Sequence, residues 1–170
     1  MVALASLTAC SSELLSPSAD YDTVVDVNML AWASNDTLFF PVEVPETPSA
    51  QNLLKHDHTY RLRCSVRMSA DYRLESLPMQ LIVQQTDTLS SGHSHVVRNL
   101  LRENVSTRVR DKQGMVLGDT WGSLTTHEEM LQDVTLRFDS VGSYRMLLVP
   151  RTNGLAAFKG ISAIGLSLVK

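Results

Sequence analysis

The chain has 170 residues and a formal net charge of −3. That balance argues against nucleic acid as a main partner, because phosphate binding needs a basic surface. No apolar run approaches the roughly 18–20 residues of a membrane-spanning helix, and two cysteines, Cys10 and Cys64, are too few for a disulfide framework.

The N-terminus carries the first signal. A short apolar run, Val2 to Leu7, leads into Leu7-Thr8-Ala9-Cys10. This is the form of a bacterial lipoprotein signal, in which the cysteine thiol is acylated and the chain is cut just before it. No Lys or Arg precedes Cys10, so the basic part of such a signal is missing from this sequence. Ser11 to Asp20 is rich in small polar residues with one proline, which suits a tether. We therefore read residues 1–9 as a signal remnant, 10–20 as a lipidated tether and 21–170 as a single domain. With Cys10 lipidated, Cys64 has no disulfide partner. Only one acidic residue, Glu13, closely follows the cysteine, which disfavours display on the cell surface and favours a membrane-anchored, periplasm-facing body.

Beyond the tether the hydrophobic period is two almost everywhere. Thr37 to Val44 reads as a strand, with Pro41 marking an edge or a bulge. In Tyr60 to Ser69, Leu62, Cys64, Val66 and Met68 share one face, and Arg61, Arg63, Ser65 and Arg67 the other. This predicts a half-buried strand with a basic, solvated outer face. Cys64 falls in the apolar set and reads as a small core residue. Met79 to Gln85 is strongly apolar and predicted to be central. Asn104 to Arg110 alternates with Val105, Thr107 and Val109 inward. Asp133 to Phe138, Ser143 to Val149 and Ile161 to Val169 follow the same rule. Asp111 to Gly114 and Asp139 to Gly142 carry turn chemistry. A short helical turn is expected at Thr125 to Leu131, where Thr126 and Glu129 have capping-box spacing. His93 to Arg102 has a helical rhythm that fits a turn or a strand. Many short strands with frequent turns indicate an all-β fold, an antiparallel β-sandwich of jelly-roll type.

Chemical motifs are sparse. His56-Asp57-His58 and His93-Ser94-His95 could each offer two imidazoles to a metal, but both sit among polar loop residues. We read them as solvated, and His127 beside Glu128 and Glu129 as part of a solvated turn. No Gly-x-Ser-x-Gly elbow and no phosphate-cradling glycine loop is present. No catalytic residue, metal ligand or cofactor is assigned. The aromatics Tyr21, Trp32, Phe39, Phe40, Trp121 and Phe158 could line a glycan platform, although core packing is the simpler role for most of them. In Gly118-Asp119-Thr120-Trp121-Gly122 the glycines allow a tight backbone. Trp121 then either plugs one end of the sandwich or presents a binding surface; we favour the plug. Trp121 and Trp32 are the two candidate binding-surface residues. The strip Arg61, Arg63 and Arg67 could serve an acidic partner, with a plain solvated face as the favoured reading.

An ordered set of segments resembles the gliding-motility lipoprotein GldH family of Bacteroidetes. It comprises Trp32 to Phe40 leading through a strand to Pro45, the Gly118 to Gly122 turn, Phe138-Asp139-Ser140-Val141-Gly142-Ser143-Tyr144, and a closing Leu155…Gly160-Ile161…Ile164-Gly165-Leu166. The similarity runs from about Tyr21 to the C-terminus. Ala163 stands where an acidic residue would be expected. The resemblance implies an accessory lipoprotein of the gliding and type IX secretion apparatus that works by protein–protein contact, without known catalysis. It brings no catalytic or ligand residues to transfer, and motility of the host does not follow from it. The alternative is a glycan-binding envelope lipoprotein of similar shape. Asp, then a hydroxyl residue, then an aliphatic recurs at Thr23, Thr37, Thr88 and Ser140, where composition predicts about one occurrence. The pattern is similar to the O-glycosylation acceptor of Bacteroidetes envelope proteins, and equally to ordinary turn chemistry before strands.

Overall fold

In the computed structural model, residues 19–88 and 94–170 are described. Cys10, Glu13 and His93 lie outside them, as does the rest of the signal and most of the tether. The described chain is all-β, with antiparallel pairing throughout. Its strands are β1 (Tyr21–Asp26), β2 (Trp32–Ala33), β3 (Leu38–Val44), β4 (Thr59–Ser69), β5 (Ser76–Thr88) and β6 (Ser94–Arg108). They continue as β7 (Asp119–Trp121), β8 (Leu124–Arg137), β9 (Gly142–Pro150), β10 (Ala157–Phe158) and β11 (Ile161–Val169). One sheet has the order β1-β11-β4-β8-β7 and the other β3-β9-β5-β6, with β10-β2 as a small third pair.

The alternation in the sequence explains the layers. Leu62, Cys64, Val66 and Met68 of β4 are buried, as are Tyr144, Met146 and Leu148 of β9 and Ile164, Leu166 and Leu168 of β11. All of them join one hydrophobic cluster between the sheets. Burying that apolar area is the main stabilising term of the fold. Pro41 lies in β3, an edge strand, where its missing N–H breaks no inner ladder. β5 is central, hydrogen-bonded to β9 on one side and β6 on the other.

Two aromatic clusters close the ends of the sandwich. At one end Trp32 meets Phe158 edge-on at 6.2 Å, and Phe158 meets Tyr72 at 5.9 Å. At the other, Phe138 lies 6.1 Å from Tyr60 and 4.8 Å from Tyr144. Edge-to-face packing of this kind adds to simple area burial.

The expected helical turn at Thr125–Leu131 does not form. These residues belong to β8, which pairs with β4 from Thr59↔Arg137 to Ser69↔Leu124. The capping spacing of Thr126 and Glu129 is a weak local preference, and a full strand partner outweighs it. The register breaks once, between Arg61↔Thr135 and Arg63↔Met130, where Asp133 takes a φ of 61°. His93 to Arg102 also resolves as strand, from Ser94 onward.

Candidate functional site

The β7–β8 hairpin carries the most exposed large hydrophobic side chain among the described residues. Gly122, with φ 60°, and Ser123 form its two-residue turn, which suits a type II′ hairpin connection. Gly118 is needed for close approach, since a Cβ there would lie 2.2 Å from the Thr126 carbonyl oxygen. Register places Thr120 opposite Thr125 on the inner face, their hydroxyls 2.9 Å apart, and Trp121 opposite Leu124 on the outer face. Trp121 is 88 % exposed. It is therefore not the plug that the sequence suggested. That role falls to Trp32, which is 1 % exposed and donates its indole N–H to the Asp36 carbonyl at 2.8 Å. Trp32 is correspondingly removed from the binding-surface candidates.

The hairpin stands at a defined end of the molecule. Trp121 and Leu124 sit beside Ser69, the last residue of β4. The chain enters at the opposite end, where the Asp20 N–H donates to the Leu168 carbonyl and Leu168 faces Leu62. Seven strand steps from Leu62 to Ser69 separate the two ends by about 23 Å. Leu30, Leu74, Met115 and Leu155 are also exposed.

The other aromatics do not assemble into one platform. Phe40 and Phe158 are buried, Tyr21 is half-buried with its hydroxyl donating to the Pro41 carbonyl, and Phe39 is exposed on β3. On the outer face of β4, Arg61 and Arg67 are exposed, while Arg63 is largely covered and lies 3.7 Å from Glu128. Two of the three arginines thus form the solvated face that was expected.

A cleft of about 440 Å³ opens between β6 and β8, lined by Asn104, Ser106, Arg108, Glu129 and the Met130–Gln132 segment. There Glu129 accepts a hydrogen bond from the Arg108 backbone N–H at 2.7 Å. This satisfies a donor at the free edge of β6. Cys64 faces Glu129 across β4 and β8, and burial pushes its thiol from 9.0 up to about 11. A thiol that is buried and protonated is not a nucleophile. His127 is half-buried on β8 rather than in a turn, and its Nε2 has no partner. His56 and His58 are exposed in a loop, with His56 4.0 Å from Asp57, and His95 is exposed on β6. Among the described residues no group of three or more His, Cys, Asp or Glu is placed to hold a metal.

The acceptor-like hydroxyls differ in setting. Ser140 lies 3.0 Å from the Tyr144 hydroxyl and receives a hydrogen bond from Gln85, so it is engaged in a turn. Thr23 is half-buried within β1, Thr37 is half-buried just before β3, and Thr88 ends β5.

Fold and surface together define a two-sheet antiparallel β-sandwich around a sealed core. Compared with the curated proteins, the chain matches none. The family model for the GldH lipoprotein matches residues 19–168, and the chain belongs to that family. Membership implies a membrane-anchored lipoprotein of the cell envelope. Among the described residues no helix is long and apolar enough to cross a membrane.

Proposed function

We propose that this protein is a non-catalytic accessory component of a gliding and type IX secretion apparatus, held to the membrane through lipid on Cys10 and working by protein–protein contact. Membership of the GldH lipoprotein family supports the setting. The observation that carries the contact is the exposed Trp121 on the hairpin at the end opposite the chain's entry. A tryptophan this exposed is open to a partner, and Trp is among the residues that most often dominate binding energy. The tether enters the body at Asp20, so the hairpin end points away from the anchor and toward partners.

A photo-crosslinking residue placed at position 121 tests this, with one at the exposed Leu53 as control. In cells of a native host, position 121 should crosslink to subunits of the gliding or secretion machinery and position 53 should not. Equal crosslinking from both positions, or none from 121, would defeat the reading.

A further inference from the structure

The outer face of the β3-β9-β5-β6 sheet has an organisation that protein docking through Trp121 does not use. Register places Phe39, Leu147, Ile82 and Arg102 in one row across the four strands. Phe39 is 54 % exposed, and Leu147 and Ile82 are each 8 % exposed. They form a narrow, nearly covered apolar path whose one broadly exposed surface is the Phe39 ring at its end. On β5, Gln80 and Gln84 flank Ile82, so two polar rows about 13 Å apart border that path.

Both rows are linked by hydrogen bonds. In one, Arg145 Nε donates to Gln84 Oε1 at 2.8 Å, and Gln84 Nε2 donates to Asn99 Oδ1 at 2.8 Å. In the other, an Arg102 Nη donates to Gln80 Oε1 at 3.1 Å, Gln80 Nε2 donates to Asn104 Oδ1 at 3.4 Å, and Arg151 also donates to that Asn104 oxygen. Arg102, Arg145 and Arg151 make no ion pair with any carboxylate among the described residues. Glu43 is the one carboxylate on this face among those residues, and it accepts from Ser143 at 3.0 Å. Arg145 donates through its Nε alone and lines a shallow hollow together with Phe39, Pro41, Ser143 and Glu43, whose carboxylate is engaged by the Ser143 hydroxyl. A guanidinium fixed in this way is pre-organised for two-pronged binding of a carboxylate.

We propose that this face binds an acidic polysaccharide, one whose sugar rings carry carboxylates. Three guanidiniums against the single Glu43 carboxylate leave a positive face, which supplies the charge complementarity. Rings would lie along the apolar path, beginning at Phe39, while the fixed amides and arginines on both sides meet hydroxyls and carboxylates. Two inter-strand steps make the apolar path about 9 Å long, with Arg102 one step further on, room for about two sugars. A protein partner fits less well. Leu147 and Ile82 lie nearly flush beneath their neighbours, so the path has no socket for a side-chain anchor of the kind that dominates protein interfaces.

Isothermal titration of the full chain in detergent against polygalacturonate and alginate tests the proposal, with dextran as the neutral polymer and polyglutamate as the acidic polypeptide. At least one polyuronate should bind, with dextran and polyglutamate much weaker. Arg145→Lys keeps the charge but loses the fork, and should weaken binding roughly tenfold or more. Arg102→Gln on the opposite border should weaken it as well, and circular dichroism should show both variants folded. Binding of neither polyuronate overturns the proposal. So does polyglutamate bound as tightly as the polyuronate, dextran bound as tightly, or folded variants that bind like the parent chain.

Discussion

Replacing each tryptophan by alanine gives the sharpest check on how the sandwich is closed. Trp32→Ala removes a ring that is almost fully buried, its hydrogen bond to the Asp36 carbonyl and its edge contact with Phe158. Truncation of a buried aromatic costs about 3–5 kcal/mol, because the surrounding structure collapses only partly into the cavity. At roughly 2–4 °C per kcal/mol for a domain of this size, the Tm should fall by about 6–20 °C. Trp121→Ala removes a ring already in water, and such surface changes stay within about 0.5 kcal/mol, so its Tm should move by less than about 2 °C. Thermal melts of both variants, followed by far-ultraviolet circular dichroism under one set of conditions, read the difference directly. Similar shifts for the two, or a larger one for Trp121→Ala, would refute the assignment of Trp32 as the plug.

Alkaline pH should destabilise the fold. Burial raises the Cys64 thiol to about 11 and also raises the hydroxyls of Tyr21, Tyr60 and Tyr72 above their ordinary range. The unfolded chain therefore loses these protons first, so stability is full below about pH 9 and falls as pH climbs toward 11. Urea midpoints measured across that window should decline, and a constant midpoint would contradict the buried placement. Cys64 in the native protein should resist iodoacetamide at pH 8 and react once the chain is unfolded, as mass spectrometry would record. Gly118→Ala should cost about 1–3 kcal/mol from its left-handed φ alone, with the clash against the Thr126 carbonyl adding to this; a Tm equal to the parent's would show that the hairpin sits elsewhere. Cys10→Ala should move the native protein from the detergent phase to the aqueous phase on phase partitioning, and a parent protein already in the aqueous phase would remove the lipid anchor.

Much of the fold is legible in the chain because strand alternation is local. The buried row of Leu62, Cys64, Val66 and Met68 follows from their spacing, while Pro41 signals an edge or a bulge and strand order makes it an edge. The same local reasoning fails at Thr125–Leu131. There a capping-box spacing points to a helix, and only the presence of β4 alongside turns the segment into strand. The candidate site is less legible still. Both tryptophans lie close to turn residues, and nothing in the flanking residues says which is sealed. Trp32 faces Phe158, far along the chain, whereas Trp121 alternates to the outer face of a two-residue hairpin.

The amino-acid order on its own determined the all-β class and the inward-facing residues, since each is written in the nearest few neighbours. Tertiary structure alone decided which end of the sandwich holds Trp121 and which arginines share a face with Phe39. Arg102 and Arg145 come to one face, with Arg151 just past the end of β9, because β6, β5 and β9 lie side by side in one sheet. Strand order is set by contacts between distant segments, and no local periodicity encodes it.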